Sequence, residues 1–232
     1  MSAAQPPPEQ SATTGRWWPT HPASSERRSA RHRLADEARE VLRLVSQLET
    51  ESCDLDTLAE AEARLAEVRG LLAPLPDLSP HGGACSAPGD DANLFERSPV
   101  SGWANPLAAP LHLEFDGTTT YGHAVYHDAY EGPPGNVHGG VIMAAFDELL
   151  GVAQAASGIA GFTGTLTVRM RRPTPLRERI DYEAGVESVE GRKITAWGRA
   201  THDGTLLAEA TGVFITPREP EVAQAAGMPT GH

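Results

Sequence analysis

The chain has 232 residues, enough for one hydrophobic core and a smaller appendage. Its 19 basic and 31 acidic residues give a net charge of −12, which argues against nucleic acid or an anionic membrane as the main partner. Two cysteines without a CxxC pattern argue against a disulfide framework or a structural zinc site. Because no stretch has the apolar length of a membrane span and the N-terminus lacks a signal-peptide pattern, we expect a cytoplasmic protein.

The N-terminal third of the chain predicts a disordered tail followed by a helical hairpin. Residues 1–30 are rich in Pro, Ser and Thr and poor in apolar residues, which is typical of disorder. Residues 31–72 then show two helical apolar stripes separated by a break at which Asp54 or Asp56 caps the second helix. We expect the hairpin to pack against the main domain or a second copy, with docking of a dedicated partner as the alternative. The stripes are Leu34, Ala38, Val41, Leu42, Val45 and Leu48, and Leu58, Ala61, Leu65, Val68, Leu71 and Leu72.

The remainder predicts an α+β domain between two irregular segments. A Pro- and Gly-rich linker covers 73–97, the main domain covers 98–217, and a disordered tail covers 218–232. In the domain, period-two alternation begins at Leu111, turns at Asp116-Gly117 and continues through His127. A Gly/Pro-rich loop, a helix over 138–156 and four further strands follow, with turns at Glu190-Gly191 and Asp203-Gly204. This order indicates an antiparallel sheet that buries one face against a single long helix.

The start of the predicted helix offers backbone donors for a ligand. The loop that begins at Glu131 delivers His138, Gly139 and Gly140 to the first turn. The first amides of a helix have no intrahelical partner and lie at the positive end of its dipole. Gly139 and Gly140 therefore predict an oxyanion site, or alternatively a tight turn that tolerates glycine.

Two carboxylates interrupt the apolar run of the same helix. Asp147 lies where solvation should be poor, and a buried carboxylate usually has a specific partner or a function. Seven residues separate it from Gly140, a rise of roughly 10 Å. If both groups act on one carbonyl, we expect them to come from two chains with antiparallel helices at a dimer interface. Glu148 points about a quarter-turn away, so we expect a structural role there, such as capping an amide or pairing with an arginine.

Other chemistries are less well supported by the sequence. The chain contains no G-x-S-x-G nucleophile elbow, H-E-x-x-H zinc motif, Walker motif or G-x-G-x-x-G fingerprint. His123 and His127 share a predicted strand face, which leaves a metal site open as an alternative. Without a clear third ligand, we expect no metal.

Taken together, these residues resemble the hotdog-fold acyl-CoA thioesterases, and within them the PaaI-like and Them (thioesterase superfamily member) branch. The resemblance rests on His138-Gly139-Gly140, on Asp147 nine positions later and on Thr163 sixteen after that. The segments 130–135, 171–175 and 189–193 add to it, and it covers roughly residues 98–217. It implies a hotdog fold, an antiparallel sheet wrapped around one long helix, preceded here by the α-helical hairpin.

The resemblance also implies roles for particular residues. Asp147 would be the general base or nucleophile, and Gly140 with Gly139 would donate N–H groups to the oxyanion. His138 would orient the thioester or the loop, and Thr163 would hydrogen-bond the water or carboxylate from the partner chain. Some relatives carry an asparagine six residues before the histidine, where this chain has Gly132. The nearby Asn136 does not match that position and is kept as a candidate substrate-binding residue.

The expected substrate is an acyl-CoA, hydrolysed by a homodimer or a dimer of dimers without a metal or redox cofactor. Two pairs of cations either bind the phosphates of coenzyme A or form solvated strand ends: Arg171 and Arg172, and Arg192 and Lys193. A non-catalytic acyl-CoA-binding protein of the same fold is the alternative, and the retained Asp147 and Thr163 count against it. A hotdog dehydratase or hydratase would need a different spacing of histidine and acid.

Overall fold

The computed structural model describes residues 26–76, 96–156, 158 and 161–217. Most of the predicted tails and linker therefore lie outside the described residues. The helices are α1 (Glu26–Ser46), α2 (Leu55–Leu72) and α3 (Gly139–Ala156). The strands are β1 (His112–Phe115), β2 (Thr120–Val125), β3 (Phe162–Met170), β4 (Arg179–Glu190), β5 (Lys193–His202) and β6 (Thr205–Ile215). This order of two strands, one long helix and four strands confirms the predicted α+β architecture.

One antiparallel sheet, in the order β1-β2-β4-β5-β6-β3, forms the centre of the domain. Alternate residues of β4, β5 and β6 are buried under α3, as period-two patterning requires. The buried face of α3 carries Ile142, Phe146, Leu149 and Leu150. The opposite face of the sheet carries mainly polar side chains, and β1 and β3 are its two edges.

Two glycines of the sheet let α3 approach it closely. A Cβ at Gly198 would lie 3.1 Å from Leu150 and 3.2 Å from Phe146, and one at Gly212 would lie 3.0 Å from Leu150. Larger residues at either position would push the helix away from the sheet.

Helix α1 docks on the domain through a polar face, which the apolar pattern did not predict. Its buried residues are His32, Ala35 and Arg39. Arg39 donates to the carbonyl oxygens of Ala108 (2.9 Å), Gly102 (3.3 Å), Trp103 (2.6 Å) and Asn105 (3.2 Å). The face expected to be buried is instead exposed, because the loop before β1 presents backbone acceptors rather than apolar side chains. The members of that stripe with the clearest exposure are Leu34, Leu42, Val45 and Leu48.

The contacts of the buried carboxylate of Glu96 place the start of the first helix and the end of the linker differently from the sequence prediction. Glu96 is 3% exposed and contacts Arg28 (3.0 Å), Arg31 (3.5 Å) and His32 (2.8 Å) of α1. Helical structure therefore begins at Glu26 rather than at residue 31, because these cations gain a buried partner. For the same reason Glu96 belongs to the folded domain and not to the linker predicted over 73–97.

Helix α2 begins where the sequence predicted, with the Asp54 carboxylate accepting from the Thr57 N–H at 2.8 Å. None of its residues is buried. The predicted pair of N-terminal helices is thus confirmed, but only α1 is held against the domain. No described helix combines the length and apolarity needed to cross a membrane.

We expect Arg39→Leu to lower the free energy of unfolding by about 3 kcal/mol, since four buried or partly buried carbonyl groups lose a charged donor. Urea unfolding followed by Trp103 fluorescence measures the effect. Arg33→Leu, on the exposed side of α1, is the matched control and should unfold like the wild type. Equal midpoints for both variants would show that this docking does not stabilise the domain.

Candidate functional site

The loop before α3 is held in place by backbone hydrogen bonds on both sides. His138 N–H donates to Tyr130 C=O at 2.8 Å, and Val137 N–H donates to Thr174 C=O at 2.8 Å. Leu176 N–H donates to Gly135 C=O at 3.1 Å. The loop therefore delivers His138 to the helix in one defined position.

Gly132 explains why this chain lacks the asparagine found in some relatives. A Cβ at this position would lie 2.7 Å from the Cα of His138, so any side chain would displace the backbone. Asn136 donates from Nδ2 to Pro134 C=O at 2.9 Å, which ties it to its own loop.

His138 caps α3, and this changes which amide is available to a ligand. Its ring Nδ1 accepts from Gly140 N–H at 3.0 Å, and its C=O accepts from Val141 N–H at 2.9 Å. Gly139 N–H donates to no described residue. While His138 caps the helix in this way, the Gly139 N–H is free to bind a ligand and the Gly140 N–H is not. The sequence had favoured Gly140 as the donor. The sequence could not show that His138 would act as the cap, a role usually filled by Ser, Thr, Asp or Asn.

Asp147 and Thr163 lie together on the outer side of α3. Thr163 Oγ1 donates to Asp147 Oδ1 at 2.9 Å within the same chain, so this threonine is not supplied by a partner. Asp147 is exposed in the single chain, contrary to the expectation of poor solvation. The apolar run fills the opposite face of the helix, while Asp147 shares its face with Gly140 and Met143.

Gln154, which the sequence did not single out, fixes the start of β3. Its side chain is buried, donates from Nε2 to Gly161 C=O at 3.2 Å and accepts at Oε1 from Gly161 N–H at 2.8 Å. The carboxamide thus pairs with the backbone as a neighbouring strand would. Because Gly161 precedes Thr163 by two residues, this pairing sets the position of the threonine relative to Asp147. A polar residue seven positions after Asp147, two turns along the helix, was the signal available.

Glu148 has the structural role that the sequence predicted, although its partner is neither an amide nor an arginine. Its Oε1 accepts a hydrogen bond from the Ser101 hydroxyl. This contact joins α3 to the irregular segment before β1.

The four candidate phosphate-binding cations form two separate pairs in one chain. Arg171 N–H donates to Leu207 C=O at 2.7 Å, whereas Arg192 Nε donates to Thr216 C=O at 2.8 Å. These acceptors are nine residues apart along β6, about 30 Å. Arg171 is also ion-paired with Glu209, and Lys193 forms no ion pair with a described residue. One chain alone therefore does not bring the four cations to a single phosphate.

The two histidines considered for a metal lie apart in different surroundings. His123 stacks on His112 with centroids 4.4 Å apart, and burial, then the neighbouring His112, lower the pKa of His123. His127 accepts at Nδ1 from Ala129 N–H at 3.2 Å, and burial, then Arg43, lower the pKa of His127. Across the described ranges, no group of three His, Cys, Asp or Glu side chains is placed to hold a metal ion.

Comparisons with known proteins bear on the family and the fold of this chain. The thioesterase superfamily model matches residues 134–209. A solved structure titled a thioesterase superfamily protein has 32% identity and a TM-score of 0.68, covering 86% of this chain and 98% of that chain.

Two curated relatives are named acyl-coenzyme A thioesterase THEM4. The protein from Xenopus laevis is 38% identical over 87 residues, which are 37% of this chain and 39% of that protein. The protein from Bos taurus is 34% identical over 87 residues, covering 37% of this chain and 35% of its own length. The chain thus spans less than two fifths of the length of these curated relatives.

We expect Gln154→Leu to destabilise the domain by about 2 kcal/mol, because the Gly161 N–H and C=O lose their buried partner. Hydrogen exchange of the Thr163 amide should quicken at the same time, since the start of β3 is released. Gln47→Leu, at an exposed position, is the control. Wild-type exchange at Thr163 in Gln154→Leu would contradict the role given to this clamp.

Proposed function

The chain belongs to the thioesterase superfamily, and on that premise we propose that it hydrolyses acyl-CoA thioesters to a free carboxylic acid and coenzyme A. The observation that carries the proposal is the exposed Asp147 carboxylate, held by Thr163 on the face of α3 that begins at the His138-Gly139-Gly140 turn. The curated relatives named as acyl-coenzyme A thioesterases support the choice of substrate.

The proposed reaction needs one base and one oxyanion site. Asp147 accepts a proton from a water molecule as the water oxygen adds to the thioester carbonyl. A helix N-terminal amide, that of Gly139 or of Gly140 after its release from His138, donates to the oxyanion. The carbon–sulfur bond then breaks, and the coenzyme A thiolate takes up a proton. Direct attack by the Asp147 carboxylate, followed by hydrolysis of the resulting anhydride, is the other route open to this residue.

The distance between the Gly140 amide and the Asp147 carboxylate argues for a site shared by two protomers. Gly140 and Asp147 of one helix lie roughly 10 Å apart along its axis, too far to hold one carbonyl. We therefore propose a homodimer in which Asp147 of one protomer faces the helix N-terminus of the other. No metal or redox cofactor is proposed for the reaction, because the base and the amides supply its proton transfer and charge stabilisation.

The edge strand β3 is the surface proposed to join the two protomers. Among the described strands it has a neighbour on one side only, and its end residues Phe162 and Met170 are 49% and 43% exposed. An exposed apolar edge strand readily pairs with another chain. Met143, on the outer face of α3, is 45% exposed, so this face of the helix also offers an apolar side chain to a second chain.

Antiparallel pairing of two β3 strands would also bring the separated cations closer. Phe162 of β3 is paired with Ile215 of β6, and Ile215 is paired in turn with Lys193 of β5. Antiparallel pairing of two β3 strands places Arg171 and Arg172 of one protomer near these three paired residues of the other. The shared end would then hold cations from both chains, as the phosphates of coenzyme A require. We also propose a cytoplasmic location, consistent with only two cysteines in the chain.

We expect Asp147→Asn to lower kcat for acyl-CoA hydrolysis by about 10²- to 10⁴-fold, because the amide accepts no proton. Release of free thiol from a panel of acyl-CoAs of different chain length is the measurement. Asp181→Asn, a half-exposed aspartate on β4 that is ion-paired with Arg179, is the control and should keep wild-type rates. Equal turnover by both variants would remove Asp147 from the mechanism. Acyl-CoA binding without wild-type turnover would favour the non-catalytic alternative.

We expect Phe162→Lys combined with Met170→Lys to halve the molecular mass and abolish turnover, since charge on an edge strand opposes pairing. Light scattering coupled to gel filtration measures the mass. Val125→Lys, at an exposed position on β2, controls for added charge. A monomeric wild type with full activity would disprove the shared site.

A further inference from the structure

The N-terminal helices expose apolar surface that the domain does not use. Helix α1 is fixed to the domain through His32, Ala35 and Arg39. At 100° per residue, Leu34, Val41 and Val45 project from the opposite side, and Leu48 follows two residues after the helix ends. Val45 and Leu48 are 57% and 49% exposed. The attached helix therefore turns an apolar stripe toward solvent.

Helix α2 presents a second stripe of the same kind. Leu65, Val68 and Leu72 follow one another at helical spacing and are all exposed. Because α2 buries none of its residues, its amphipathic pattern has no partner within the described part of one chain. Most of the stability of a helix of this length comes from packing of its apolar face.

We propose that α1 and α2 of two copies of this chain pack together through these stripes as a four-helix bundle. The interface lies beside β1, at the opposite edge of the sheet from β3, so it is distinct from the proposed catalytic dimer. Two such contacts on one chain would produce a dimer of dimers.

The size and shape of the stripes fit a second copy. The two helices have 21 and 18 residues, about 30 Å each, and similar lengths allow continuous packing in a bundle. Leu34, Val45, Leu65, Val68 and Leu72 are each 39–57% exposed, so exposed apolar surface extends along both helices.

Charge complementarity gives the orientation. Arg27 continues the α1 stripe one heptad before Leu34, and it is exposed. The turn after Leu48 carries four carboxylates: Glu49, Glu51, Asp54 and Asp56. An antiparallel α1 pair related by two-fold symmetry puts Arg27 of each copy beside the acidic turn of the other. Pairing about the middle of α1 also places Leu34 of each copy opposite Val41 of the other.

The first experiment compares masses of the full chain by sedimentation velocity. Val45→Glu combined with Leu65→Glu places a charge in each stripe and should halve the mass of the wild-type assembly. Leu107→Glu combined with Val125→Glu adds the same charge at exposed apolar residues outside the N-terminal helices and should leave the mass unchanged. Far-UV circular dichroism verifies that all variants remain folded.

A stripe variant with the wild-type mass overturns the proposal. One such outcome is that residues 1–25 or α2 of the same chain cover the α1 stripe. The variant would then lose thermal stability, but its mass would equal that of the wild type. Another is that a different protein is the partner, because the purified chain would keep one mass throughout.

The second experiment tests the orientation without altering the apolar surface. Arg27→Glu should weaken self-association at least tenfold at low salt, whereas Arg27→Lys should associate like the wild type. Equal association constants for the two variants would rule out the antiparallel pairing. Because both experiments measure mass and not thiol release, they succeed or fail independently of acyl-CoA hydrolysis.

Discussion

The close approach of α3 to the sheet is the constraint on which the rest of the domain depends. Gly198 and Gly212 leave the space that Phe146 and Leu150 fill, and a Cβ at either glycine would meet those side chains at 3.0–3.3 Å. Since interiors are packed at crystal-like density, the helix has one favoured depth and rotation on the sheet. That rotation decides which helical residues face outward, and Asp147 is among them.

The outward face of α3 is then brought into register with β3 by a polar contact. The Gln154 side chain hydrogen-bonds both backbone groups of Gly161, so it links the end of the helix directly to the start of the strand. The hydrogen bond from Thr163 to Asp147 follows from that register. At the other end of the helix, His138 occupies the Gly140 amide and leaves that of Gly139 available. The proposed base and the proposed oxyanion donors are therefore held by different contacts along one helix.

Periodicity in the sequence was sufficient to predict the order of strands and helices, because each pattern reflects burial on one face of a local element. The resemblance to a known family also singled out Asp147 and Thr163, which share a hydrogen bond, although Thr163 was expected from the partner chain. Periodicity failed for α1, where the buried face is the polar one. The acceptors of Arg39 lie 63 to 69 residues further along the chain, and nothing local distinguishes that arginine from its exposed neighbours. Gln154 was missed although it stands two turns after Asp147, because its partner is a backbone group that no side-chain pattern identifies.

The exposure of Asp147 gives the apolar run of α3 a second explanation. The sequence suggested a carboxylate surrounded by apolar groups, and the single chain shows it on the solvent side. Yet Met143 on that side is also exposed, and the neighbouring edge strand ends in Phe162 and Met170. A helix that packs first against its own sheet and then against a second chain needs apolar residues on both sides. In the proposed dimer the water around Asp147 would be displaced by the partner's helix N-terminus, so the electrostatic interactions of the base would strengthen only on assembly.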